Sequence, residues 1–344
     1  MIVRRRVGDV IKKVVLHKEI VKVKGNYKVI LIKKEDFYKV LKLVKLRILN
    51  KEYEALMPPL DDMQKNTIDV NGLAILLTQF ISAVTTISGN QNSITPAQMV
   101  LTTQSGTVTL TYTGGVNVNA QGVSVYWQIF EDNGNFTIQY YFVGYDTTDN
   151  SYTTSQIELY ASAYATWAYV YNFFTNIVRI AYANASFTKT SDSYLFIVWL
   201  IQFQNVPPYA ILFIPTFQNN TGIAEATLPS APGGGIQYKV YLNNNNCNFS
   251  CGGNCPSGGL SGFVTYVQGN SVVMEFPVIV GLGGGVSTVE MLICSTVAYV
   301  YANVQNNPVA FTISTHFNTT LSPPVSGGTF YLALATITLI FQTS

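Results

Sequence analysis

Few residues in this 344-residue chain have the type and spacing to do chemistry. Three of the four cysteines, Cys247, Cys251 and Cys255, stand at C-x3-C-x3-C spacing in NNNNCNFSCGGNCPSGG, and Cys294 follows later. Zinc sites favour C-x2-C pairs and need thiolates, which acid suppresses. A small Asn- and Gly-rich loop is better suited to disulfides, within the loop and to Cys294. The spacing does not assign the pairing, and metal binding and free thiols stay open. The two histidines are His17, in a basic segment, and His316, in a Thr-rich one. No G-x-S-x-G elbow, P-loop, H-E-x-x-H or dinucleotide fingerprint accompanies them. Asp146 and Asp149 in YDTTDNS offer only two carboxylates, too few for a calcium loop. Glu131, Asp132, Glu158, Glu275 and Glu290 are the acids on which a glycan hydrolase would draw, and it would need two of them to converge in a cleft. GLGGG at 281–285 reads as a turn. The expectation is a protein that is not an enzyme, with no cofactor, no metal and no small-molecule substrate.

Charge carries more information. Residues 1–65 hold 17 Lys and Arg against 8 Asp and Glu, whereas residues 66–344 hold 3 against 10. In the second region 13 of 279 positions are charged, far below the roughly 25% of a usual soluble domain. Asn, Gln, Ser, Thr and Tyr take the place of charge, and amides and hydroxyls keep their hydration in strong acid, where carboxylates protonate. This body suits the exterior of a cell, a hot acidic one included, with compositional bias as the plain alternative. The Arg4-Arg5-Arg6 start lacks the apolar stretch of a secretory leader, since Asp9, Lys12, Lys13 and Lys18 interrupt it. Five N-x-S/T sequons, at Asn135, Asn184, Asn219, Asn248 and Asn318, all lie in the neutral body. They are candidate glycosylation sites, each weak by itself.

The basic residues Arg4, Arg5, Arg6, Lys12, Lys13, Lys22, Lys24, Lys28, Lys33 and Lys34 recur along an alternating pattern. Such density favours an anionic surface or polymer, either lipid or nucleic acid bound without sequence preference. The bland reading is a lysine-rich edge that resists aggregation.

These residues must be positioned by elements that are mostly β. VKVKGNYKVILIKK alternates and reads as a hairpin turning at Gly25-Asn26. MPPLDD then marks a boundary near Pro58–Asp62. Val70, Leu73, Leu77, Phe80, Val84 and Ile87 follow a/d spacing, predicting a helix near 69–88 with Asp69 as N-cap. That helix either associates around a symmetry axis or packs on its own domain. Val123, Val125, Trp127 and Ile129, then Phe136, Ile138, Tyr140 and Phe142 across Asn133-Gly134, predict a β-hairpin. SYLFIVWLIQFQ reads as a buried strand, and residues 156–182 fit helix or strand.

The chain also echoes itself. QGVSVYWQ at 121–128 recurs as SGFVTYVQ at 261–268, AYVY at 168–171 recurs at 298–301, and LIQFQ at 200–204 recurs loosely as LIFQ at 339–342. A repeat of this length suits a whole β-sandwich. The fold expectation is therefore mainly β: two consecutive jelly-roll-like antiparallel β-sandwiches with a few helices. Residues 1–65 form a basic segment, 66–231 the first sandwich and 232–344 the second.

On the paired echoes, the length, the sequon-dotted neutral body and the basic terminus, the chain resembles the double-jelly-roll major capsid proteins of tail-less icosahedral viruses of thermoacidophilic archaea. The resemblance implies a virion structural protein assembled in the host cytoplasm, forming homotrimeric capsomers beside other virion proteins. It further implies residues 1–50 facing an internal anionic membrane or the genome. A turret, spike or tail protein, and a cell-surface adhesin or filament subunit, are the alternatives.

Overall fold

The computed structural model describes residues 11–37, 63–86, 92–94, 98–113, 119–132, 134–166, 172–174, 177–207, 225–227, 237–242, 264–281, 288–300, 309–320 and 330–344. Among these residues the protein is mainly β with one α-helix. Strands are numbered in chain order.

The largest sheet, sheet A, mixes parallel and antiparallel pairs and curls round the core. Its strands are β1 (Ile11–Lys33), the short β2 (Gln64–Lys65), β7 (Gln121–Asp132), β8 (Asn135–Asp146), β13 (Ser193–Val206), β16 (Val264–Gln268), β17 (Ser271–Gly281) and β20 (Phe330–Thr343). Their order is β16-β17-β20-β1-β13-β8-β7, with β2 paired to β1. The antiparallel sheet B has the order β3-β12-β9-β5-β6. These are Thr67–Ile68, Val178–Lys189, Tyr152–Ala161, Gln98–Thr103 and Gly106–Thr111. Two smaller sheets complete the set. One joins β4 (Asn92–Ile94), β10 (Ala163–Thr166) and β11 (Asn172–Phe174). The other joins β14 (Glu225–Thr227), β15 (Gln237–Leu242), β18 (Thr288–Val300) and β19 (Val309–Thr320).

The predicted hairpin is β7–β8, antiparallel and in register from Asp132↔Asn135 to Gln121↔Asp146. SYLFIVWLIQFQ is β13, buried along nearly its whole length. The described parts of the ambiguous stretch after Gln156 are strands, because β9 and β12 pair with each other and bury alternate residues such as Ile157, Leu159 and Ala181. The helix α1 spans Val70–Thr86. Asp69 starts it, its Oδ1 accepting from Gly72 N at 3.0 Å. Leu73, Ala74, Leu76 and Leu77 are buried in the chain's own core with Ile180, Ile201 and Met274. The described part of the seam is thus used for packing within the molecule.

One local reading is corrected. The chain does not turn at Gly25-Asn26: β1 runs unbroken through both residues, with Gly25 opposite Ile201 and Asn26 opposite Leu200 in β13. The glycine answers a different demand. A Cβ there would lie 2.2 Å from Asn66 Oδ1, and Asn66 N donates to Gly25 O at 3.2 Å. A long-range close approach by the Asn66 and Ile68 side chains, not a tight turn, occupies the space a side chain would fill.

The sequence echo acquires a specific meaning in sheet A. QGVSVYWQ forms β7 at one edge of the sheet, and TYVQ of the second copy ends β16 at the other. Each pairs with the next strand, β8 or β17. LIQFQ and LIFQ lie in β13 and β20, the strands that flank β1 on its two sides. β13 runs antiparallel to β1 and β20 parallel to it. In order and direction the strands β16-β17-β20 on one side of β1 therefore match β7-β8-β13 on the other, as a half-turn about an axis normal to the sheet would relate them. Phe203 and Phe341, equivalent in the echo, both enter the core, with ring centroids 6.1 Å apart. The AYVY copy at 168–171 lies outside the described residues.

Sheet A buries one face against sheet B and α1. Trp199, Phe142, Phe341 and Leu77 are among the most deeply buried side chains. The opposite face of sheet A divides in two. At one end Ile32, Tyr141, Val143, Phe196, Val198 and Leu200 form a second apolar cluster with Phe37 and Met63. At the other end that face is polar and open.

A candidate anion-binding face on the central strand

Parity along β1 creates this open region. Val21 and Val23 are fully buried in the core, so Ile20, Lys22 and Lys24 must point to the other face. Lys18 continues the same row, beside Thr338 of β20. Lys18, Lys22 and Lys24 are all exposed. Among the described residues none of the three has a side-chain hydrogen bond or ion pair.

The neighbouring strands supply amides. Lys22 stands between Gln204 of β13 and Gln342 of β20, and Lys24 lies opposite Gln202. Gln204 and Gln342 end LIQFQ and LIFQ, so the two echoing segments place an amide on each side of one lysine. Gln139 extends the layer beside Gln202, and its Oε1 accepts from Tyr141 OH at 2.9 Å, where the polar region meets the apolar cluster. Val15 and Ile20 on this face are 51% and 49% exposed, and Ile20 adjoins Ile340. From Lys18 to Lys24 the row is about 20 Å long at strand rise. It offers uncompensated positive charge, amide donors and exposed aliphatic carbon on one surface.

The other basic residues take different positions. Arg4, Arg5 and Arg6 lie outside the described residues, while Lys12 and Lys13 fall in β1 opposite Ala333 and Leu334. Lys28 is half-buried and Lys33 is exposed near Asp192. Lys34 is not available to a ligand in the same way, because its Nζ pairs with Asp149 Oδ1. That hydrogen bond raises the lysine's pKa and lowers the carboxyl's. Lys18 and the four glutamines carry no sequence motif. The signal that could have found them is parity, read through Gly25 instead of being broken there.

Asp146, Lys189 and the Glu158–Arg179–Asp69 cluster hold the scaffold together. Asp146 is fully buried and accepts four hydrogen bonds: Gln121 Nε2 at 2.9 Å, Thr148 N at 2.9 Å, Thr148 Oγ1 at 2.7 Å and Tyr152 OH at 2.8 Å. The fully buried Lys189 donates to Thr148 O at 2.8 Å and Asn150 O at 2.7 Å, stapling the same loop. Burial lowers the Lys189 pKa, with Asp146 opposing, and burial raises that of Tyr152, with Asp146 adding to it. Asp146 and Asp149 thus spend their oxygens on separate protein partners. Glu158 binds Arg179 at 2.8 Å and Tyr160 OH at 2.9 Å, and Arg179 reaches Asp69 at 3.5 Å, tying the start of α1 to sheet B. Glu275 sits on sheet A beside Tyr266 OH at 3.3 Å, on a different sheet from Glu158. Glu131 and Asp132 end β7, and Glu290 lies in β18. His17 contacts Glu19 at 2.9 Å, and His316 lies in β19 opposite Leu292. Among the described residues no group of three His, Cys, Asp or Glu is placed to hold a metal ion.

Asn135 and Asn184 are exposed, in β8 and β12, and Asn318 lies in β19 opposite Glu290. Cys294 lies in β18 between Gln237 and Ser314. Asn219, Asn248, Cys247, Cys251, Cys255 and the boundary near Pro58–Asp62 lie outside the described residues. No described helix is long and apolar enough to cross a membrane.

Comparison with known proteins now gives the chain a place. It is 48% identical over 346 residues to "Uncharacterized protein 60" of Sulfolobus islandicus filamentous virus (isolate Iceland/Hveragerdi), covering 97% of this chain and 99% of that protein. The chain belongs to the same family as this viral protein. No protein-family model matches it, and no solved structure does. The resemblance read from the sequence pointed to icosahedral viruses, whereas this relative belongs to a filamentous one. What the two have in common is an archaeal virus and a β-rich chain.

Proposed function

We propose that the protein is a non-enzymatic structural component of the virion of an archaeal virus, assembled in the host and carried on the particle. The observation that carries this reading is its full-length relationship to a filamentous-virus protein. Two features support a structural role. The described buried charges, Asp146 and Lys189, are consumed in holding a loop, and the Arg179–Glu158–Asp69 cluster fixes a helix to a sheet. The body beyond residue 65 replaces ions with amides and hydroxyls, a surface whose hydration is insensitive to acid.

Within the particle, a spike or tail component fits better than a trimeric shell subunit. The filamentous relative favours it, and so does sheet A, whose strands come from both halves of the chain and join through β1. Purified particles of the encoding virus, analysed by mass spectrometry and labelled with gold-conjugated antibody, test this. Labelling at the ends or on discrete projections is expected. Continuous labelling along the particle would favour the shell subunit, and absence of the protein from washed particles would overturn the virion role.

A further inference from the structure

We propose that the open face of β1 docks the protein on an anionic lipid surface. Lys18, Lys22 and Lys24 are exposed and have no carboxylate partner among the described residues, so their charge is free to meet an anionic partner. A second copy meeting this face with its own would set lysine against lysine, which disfavours a symmetric dimer through it.

The aliphatic side chains choose between the anionic partners. Val15 and Ile20, each about half exposed, share the face with the lysines, and Ile340 adjoins Ile20. A bilayer interface accepts both kinds of group at once: charge sits at the headgroups and aliphatic carbon at the acyl boundary. A nucleic acid would use the lysines but leave the aliphatics against phosphate. The flanking side chains on β13 and β20 are Gln202, Gln204, Thr338, Ile340 and Gln342, with no ring among them to stack on a base. Those amides and Thr338 can hydrogen-bond headgroup phosphate and ester oxygens.

The test is co-sedimentation of the full chain with phosphatidylcholine vesicles, with and without phosphatidylglycerol, at low salt. Labelled duplex DNA is measured in parallel by anisotropy. Binding should require phosphatidylglycerol and weaken as salt is added. The triple variant Lys18→Gln, Lys22→Gln, Lys24→Gln should bind anionic vesicles about a hundredfold more weakly, roughly fivefold per lysine. Val15→Ser with Ile20→Ser should weaken vesicle binding and leave any DNA binding unchanged. All the altered side chains are exposed, so unchanged melting temperatures establish that the variants fold, and single Lys22→Gln serves if the triple variant does not. Equal vesicle binding by wild type and the folded lysine variants overturns the proposal. So does wild-type binding to DNA but not to anionic vesicles, or to neither.

Discussion

The buried Asp146 site allows a stability prediction worked from geometry. Asp146→Ala removes an acceptor that holds four donors in a place closed to solvent. The Gln121 amide, the Thr148 N–H and hydroxyl and the Tyr152 hydroxyl lose their partner, and the buried Lys189 loses the carboxylate that most offsets its desolvation. One orphaned buried polar group costs about 1–3 kcal/mol, and Asp146→Ala orphans several at once, while Lys189 keeps its hydrogen bonds to the Thr148 and Asn150 carbonyls. Partial relaxation and water entry reduce the sum, so the expected loss is about 3–5 kcal/mol. That is a large share of a total stability of roughly 5–15 kcal/mol. Asp146→Asn keeps one acceptor oxygen and should lose about half as much. Lys189→Met orphans the carbonyls of Thr148 and Asn150 but relieves the burial of a cation. In the Asp146→Asn background it should therefore cost at least about 1 kcal/mol less than in the wild type. Urea unfolding followed by tryptophan fluorescence measures these values, as midpoint shifts at constant m. A loss under about 1 kcal/mol for Asp146→Ala, or strictly additive double-variant energies, would refute the account of this loop as a coupled hydrogen-bonded staple.

Two further predictions concern other parts of the fold. Gly72→Ala should destabilise the protein by more than about 2 kcal/mol, although alanine is the better helix former by about 1 kcal/mol. The added Cβ would lie 1.8 Å from Arg179 O, a backbone atom held by the β12 pairing. A melting temperature equal to or above wild type would show that this contact yields freely. In alkali the native chain keeps protons that the unfolded chain releases: Tyr27, Tyr112, Tyr152, Tyr160 and Tyr266 all have pKa values raised chiefly by burial. Stability from these groups is complete below about pH 10 and falls as pH rises further, and Lys34, raised by Asp149, acts in the same direction. Lys189, lowered by burial, acts the other way but is one group against six. Phenolate absorbance should therefore rise in two stages, the second coinciding with unfolding by circular dichroism. A single early rise in the folded protein would contradict this.

Local signals carried much of the architecture. The β7–β8 hairpin was legible because Asn133-Gly134 separates two alternating runs whose apolar residues take the same face. The α1 helix was legible from Asp69 and the spacing of Val70, Leu73 and Leu77, and β13 from its unbroken β-branched and aromatic run. The Gly25-Asn26 error has the opposite origin. A glycine needed for a close approach and a glycine needed for a turn look alike in sequence, and only Asn66, brought to Gly25 by the pairing of β2 with β1, distinguishes them. The lysine face was half legible. The density of Lys22, Lys24 and their neighbours was plain, but their freedom from partners and the commitment of Lys34 to Asp149 were not.

The sequence by itself determined the chemistry of the parts: a β-rich chain, a basic beginning, a nearly ion-free body, and a repeated strand set ending in the same glutamine. Tertiary structure decided how the parts combine. Similarity between segments records only that two stretches present the same side chains to the same kind of surface. Which sheet they join is set by hydrogen bonding between strands far apart in the chain. Here that bonding inserts β1 between β20 and β13, buries Val21 and Val23, and leaves Lys18, Lys22 and Lys24 together on the open side.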